Sequence, residues 1–103
     1  MQGQDLHMRK LVTIVTEALI ETPLTRDLER VGAKGYTITK ARGKGHRGTR
    51  SAGWNAGRNI RVEVICDEAT ALAIAEYLQE HYYDNYAMIL TLGDVQVLRP
   101  RKF

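Results

Sequence analysis

The sequence holds a single cysteine, Cys66, so neither an internal disulfide framework nor a multi-cysteine metal site can form. No apolar stretch approaches the roughly 20 residues that span a bilayer. The N-terminal MQGQDLHM lacks the basic-then-apolar order of a secretion signal. These absences predict a soluble, cytoplasmic chain. Also missing are paired carboxylates in a workable arrangement, a nucleophile beside a base, and metal-ligand spacing around His7 and His81. The expectation is therefore a protein that is not an enzyme and holds no metal. The most informative gap is local: from Val31 to Val62 there is no Asp or Glu.

That same window carries Lys34, Lys40, Arg42, Lys44, Arg47, Arg50, Arg58 and Arg61, leaving 7 of the 15 basic residues to face all 12 acidic ones elsewhere. The formal net charge of +3 thus conceals a concentrated positive segment, whose natural partner is an anion. At 103 residues the chain is one domain, 1–103, with 44% hydrophobic and 26% charged residues, as in ordinary globular proteins. Residues 1–8 and 102–103 read as flexible tails.

Hydrophobic periodicity organises the rest. Residues 10–16 (KLVTIVT) are β-branched and read as a strand. Thr22-Pro23 suits a helix start, the pattern leaving open whether Ala18–Glu21 already belong to it, and Leu24, Leu28 and Val31 follow at helical spacing up to Gly32. Residues 35–41 (GYTITKA) alternate as a second strand. Ile60, Val62, Val64 and Cys66 form one face of a third, which makes Cys66 a small buried hydrophobe. Asp67 can cap a helix that buries Ala71, Ile74, Ala75, Leu78 and Tyr82. A turn over 83–86 precedes a strand at 87–92, and Gly93-Asp94 predicts a turn or bulge before a short last strand at 95–98. The order is that of an α+β, ferredoxin-like βαββαβ sandwich, with two helices on one face of an antiparallel sheet. Tyr36, Ile38 and strand residues of both parities are apolar, so the second face should be buried by oligomerisation.

Between the second and third strands lies KARGKGHRGTRSAGWNAGR, residues 40–58. It is too glycine-rich for a helix, too irregular for a strand, and too poor in aliphatic residues to offset its own ordering, which predicts a long flexible loop ordered by a ligand. Gly43-Lys44-Gly45-His46-Arg47-Gly48 matches the spacing of a dinucleotide fingerprint, but Gly48, Gly53 and Gly57 preclude the helix that must follow. What remains is a backbone rich in N–H donors beside Lys and Arg, suited to phosphates.

The sequence Gly32-Ala33-Lys34-Gly35-Tyr36-Thr37, with Gly43-Lys44-Gly45, Arg47, Arg50, Ser51 and Gly53, resembles the PII-like signalling proteins, in particular the branch that contains SbtB and the carboxysome-associated CPII. The resemblance runs over about residues 10–100. It implies a homotrimer that binds ADP or AMP, with ATP or cAMP as alternatives, in clefts between subunits and senses bicarbonate as an effector. Residues 40–58 would be the T-loop that engages a target, such as a membrane bicarbonate transporter or another carbon-metabolism protein, which would recruit the chain to the membrane. Carried over by position, Gly35 and Thr37 lie near the nucleotide. Gly43, Lys44, Gly45, Arg47, Arg50 and Ser51 wrap phosphates or a small anion. The turn ending in Tyr86 and Ala87 stands where a longer glycine-rich loop is usual, and Arg99 and Arg101 match a phosphate-gripping C-terminal pair. Trp54 and Arg58 would meet the partner.

The chain departs from the family pattern in three places. Residues 40–60 hold no tyrosine to be modified, the turn at 84–87 is short, and the C-terminal RPRKF is not a redox segment. Trp54 is either a partner anchor or a residue that packs back on the body, and His46 either donates to an anion or is a solvated loop histidine. A rival is a nucleic-acid-binding module of the same fold with an arginine–glycine loop. The strand VEVIC holds no aromatic for stacking bases, so no nucleic-acid partner is expected.

Overall fold

The computed structural model describes residues 6–43 and 58–98. The elements run β1 (His7–Glu17), a 3-10 turn (Ala18–Ile20), α1 (Glu21–Val31), β2 (Thr37–Ala41), β3 (Asn59–Cys66), α2 (Glu68–His81) and β4 (Met88–Val97). The four strands form one antiparallel sheet in the order β2-β3-β1-β4, the ferredoxin-like arrangement. Both helices lie on one face. Strand alternation puts Val12, Ile14 and Thr16 of β1 and Ile60, Val62, Val64 and Cys66 of β3 against Leu24 and Leu28 of α1 and Ala71, Ile74 and Leu78 of α2. Each fully buried Leu, Ile or Val contributes about 1.5–3 kcal/mol of transfer free energy, which holds the two layers together. Burial first, and the neighbouring Asp67 carboxylate second, push the Cys66 thiol above its ordinary range, as befits a packing residue.

Helix ends follow local chemistry. Gly32 closes α1 at φ 126°, a conformation that costs other residues dearly; its N–H donates to Leu28 and Glu29 carbonyls, and the Ala33 N–H reaches the Leu28 carbonyl at 2.9 Å. Asp67 caps α2 by accepting the Thr70 N–H at 2.8 Å. The start of α1 differs from the Thr22 cap that the sequence predicts. The 3-10 turn, anchored by buried Ile20, leads directly into Glu21, and Pro23 sits in the first turn, where no intrahelical N–H bond is lost.

Four further differences have physical causes. His7 and Met8, expected in an N-terminal tail, are the first residues of β1 and pair with Val97 and Gln96. β2 takes in Lys40 and Ala41, which pair with Ile60 and Asn59, so the basic loop starts at Arg42. Where Gly93-Asp94 predicts a turn or bulge, β4 runs unbroken from Met88 to Val97, because β1 is long enough to pair it from Thr16 to His7. Lys10 Nζ fastens that region by donating to Asp94 Oδ1 at 2.6 Å. Finally, Ile38 is registered with Val62 and packs on the helix-covered core. The apolar residues of the opposite face instead include Leu11, Val15, Ile65 and Ile89, the last 51% exposed.

The hydrogen bonds from Thr70 hold the Asp67 carboxyl below its ordinary range. A depressed folded pKa means that the cap's contribution is complete above the unfolded value and is lost as pH falls through the folded one. Asp67→Ala should therefore lower the melting temperature near neutral pH, and the deficit should close below about pH 4. A deficit independent of pH, followed by circular dichroism, would contradict this account of the cap.

Candidate functional site

The sheet sorts the expected site residues into two groups. One group sits at the start of β2, where exposed Thr37 is registered with Glu63 and through it with Thr13 and Thr91, midway along β1, and exposed Gly35 precedes it; beyond them lie the start of α2, the start of β1 at His7 and the end of β4 at Val97. At the other end lie Gly43 past the end of β2, Arg58 before β3, the end of β1 at Glu17, and Tyr86 and Ala87 before β4. β2 alone separates them by about 13 Å at 3.3 Å per residue. A single copy therefore does not gather Gly35 and Thr37 with Gly43 and Ala87.

The first end is polar and open. Gly35 has no atom near the place of a Cβ, so its surface faces free space. Between it and Thr37, Tyr36 directs its hydroxyl to Glu29 Oε2 on α1 at 3.1 Å. A cavity of about 220 Å³ beside the N-terminus of α2 is lined by Met8, Arg9, Lys10, Asp67, Glu68 and Asp94. Cations and carboxylates alternate round it, and the Lys10 ammonium is already committed to Asp94.

The second end is built by three consecutive residues of the chain. Buried Thr16 donates its hydroxyl to the Ala87 carbonyl at 2.7 Å, and Glu17 Oε2 accepts the Ala87 N–H at 2.8 Å. The Ala18 N–H donates to the Arg58 carbonyl at 2.7 Å. Ala87 thus sits half-buried with both backbone groups engaged, and the exposed Arg58 is tied through its backbone carbonyl. Tyr86 is half-buried, its N–H on the Tyr82 carbonyl at 3.1 Å and its ring 5.7 Å from that of Tyr82. Tyr82 is in turn fixed to α1 by donating its hydroxyl to Asp27 Oδ2 at 2.5 Å; burial, then this bond, raises its phenol above the ordinary range.

Sequence reasoning passes over Thr16 and Glu17. Their partner lies 71 and 70 residues away, and no local pattern signals such a bond. Lys44, Gly45, His46, Arg47, Arg50, Ser51, Trp54, Arg99 and Arg101 lie outside the described residues.

Against known proteins, residues 9–102 match the family model described as nitrogen regulatory protein P-II. Among solved structures, a PII-like signaling protein of Thermus thermophilus is 52% identical, with 96% of this chain and 98% of that one covered at a TM-score of 0.81. CPII of Thiomonas intermedia, bound to ADP and bicarbonate, is 28% identical over 95% of this chain and 96% of that one, also at 0.81. The same protein bound to ADP, AMP and bicarbonate matches at 28% identity and 0.80, over 95% of each chain.

Replacing Thr16 by Val keeps the buried volume but leaves the Ala87 carbonyl without its donor. Thr16→Val should therefore cost about 1–3 kcal/mol in urea unfolding. An unchanged midpoint would mean that this bond contributes nothing to the turn.

Proposed function

The chain belongs to the nitrogen regulatory P-II family, and from that premise we propose that it is a PII-like signalling protein whose ligands are ADP or AMP together with bicarbonate. The observation that carries this reading is the division of the expected site residues between the two ends of β2. A ring of copies brings one end of each subunit against the other end of its neighbour, and such head-to-tail contacts close into a cyclic trimer. Gly35 and Thr37 of one copy then face Gly43, Arg58 and Ala87 of the next, with the nucleotide between them. Association also covers Leu11, Val15, Ile65 and Ile89, which a lone subunit leaves facing water on the open side of the sheet.

In this reading the basic segment supplies the electrostatics. No acidic residue lies between Val31 and Val62, so ADP phosphates, or bicarbonate beside them, enter a field of one sign. Residues 44–57 and the pair Arg99 and Arg101 are assigned to phosphate and anion contact on the family pattern. The ADP- and bicarbonate-bound CPII structures support the same ligand set here. The ligand state alters the T-loop and with it the engagement of a target, which we take to be a bicarbonate transporter or another protein of carbon metabolism, met through Trp54 and Arg58. None of the described helices is long and apolar enough to cross a membrane, so contact with a membrane transporter would come by recruitment from the cytoplasm.

Two measurements test this. Light scattering should give a mass near three times the 11.6 kDa of one chain; a monomer would break the composite site. Isothermal titration should show ADP binding that tightens when bicarbonate is present, and bicarbonate binding that tightens equally with ADP, since coupling is reciprocal. Absence of ADP binding would overturn the reading and return the basic segment to the RNA-binding alternative.

A further inference from the structure

We infer that Glu17 is a positioning residue that couples the turn before β4 to the base of the basic loop, so that nucleotide seated at one is registered at the other. This rests on the nucleotide-binding reading above. β1 lies between β3 and β4, so the segments entering those strands, at Arg58 and Ala87, are not neighbours in the sheet. The last residues of β1 are what touches both. Glu17 is registered with Asn59, the residue after Arg58, while its carboxylate holds the Ala87 N–H at 2.8 Å. The next residue, Ala18, donates to the Arg58 carbonyl at 2.7 Å.

The choice of residue matters. An N–H at the mouth of a strand is readily satisfied by water. Here a long, half-buried carboxylate is ordered to do so from the neighbouring strand, in a bond of the charge-assisted kind. Thr16, on the other side of Ala87, is fully buried in the core face and serves packing as much as positioning. Glu17 has no such packing duty. Its backbone is pinned to β3 and its side chain to the entry of β4, so a shift of the turn at Ala87 pulls on the residue adjoining Ala18 and hence on Arg58. A ligand that tightens the turn tightens Arg58 through the Glu17 carboxylate, beside the Thr16 bond that packing already fixes.

The test uses limited trypsin cleavage after Arg58, which is exposed, in the full-length protein with and without saturating ADP. In the wild type ADP should slow this cleavage. In Glu17→Ala the slowing should shrink by about tenfold, within the usual range of site-to-site coupling. Glu17→Gln keeps an acceptor oxygen at the same reach and should restore most of the effect. Protection of Glu17→Ala equal to wild type overturns the inference, as does a Glu17→Gln variant as defective as Glu17→Ala. A wild type that does not bind ADP by titration overturns the functional reading itself, and the coupling with it; ADP binding with intact coupling in Glu17→Ala overturns the coupling alone. A measurement free of variants stands beside these. Amide exchange at Ala87 and at Ala18 should slow together over one ADP titration in the wild-type protein, and a change at Ala87 without one at Ala18 contradicts the link.

Discussion

Everything in this molecule hangs on the pairing of β1 with both of its neighbours. Its eight-residue register with β3 and ten-residue register with β4 hold the sheet together, and its alternate residues Val12 and Ile14 are wholly excluded from water beneath the helices. Because β1 is longer than the core requires, its last residues project to the sheet end where the basic loop and the turn before β4 arrive. Thr16, Glu17 and Ala18 then place Ala87 and Arg58 by three hydrogen bonds. The same strand that builds the hydrophobic core thus sets the geometry of one half of the proposed site.

The other half lies a strand's length away, and that separation is a constraint on how the molecule can act. Short strands keep the domain small, yet they put Gly35 and Thr37 where Gly43 and Ala87 cannot meet them within one subunit. On the proposed reading the divided site is completed by association, and occupancy of the cleft would then be linked to the subunit contact by mass action. The open face of the sheet, with apolar Leu11, Val15, Ile65 and Ile89 beside the polar Thr13, Glu63 and Thr91, offers the surface on which copies meet. Family membership, the divided site and the uncovered face converge on a multi-subunit signalling protein.

What can be read from the chain itself depends on the range of the interactions involved. The Asp67 cap, the Gly32 stop and the alternation of Ile60, Val62, Val64 and Cys66 are local and legible. The Gly93-Asp94 pair misleads because turn composition is a weak local preference, overridden here by continuous pairing with β1 and the Lys10–Asp94 bond. Thr22 misleads in the same way, its capping potential bypassed by the 3-10 turn that buries Ile20. Thr16 and Glu17 are invisible in the sequence, since their partner is distant along the chain and their types carry no motif. Gly35, Thr37 and Gly43 stand out through a motif rather than by periodicity, and only the sheet reveals that they flank opposite ends of β2.

The central claim, that one nucleotide site is made by two copies, is open to direct complementation. Gly35→Asp places a carboxylate at one end, where there is free space for it, and Gly43→Asp does so at the other. Each variant alone should fail to bind ADP, because every cleft contains one damaged half. After the two are unfolded together and refolded as mixed assemblies, the account predicts that about a quarter of the clefts pair two intact halves and bind ADP, as random head-to-tail assortment requires. If the mixture binds no more ADP than either variant alone, the site is not shared between subunits and the account is wrong.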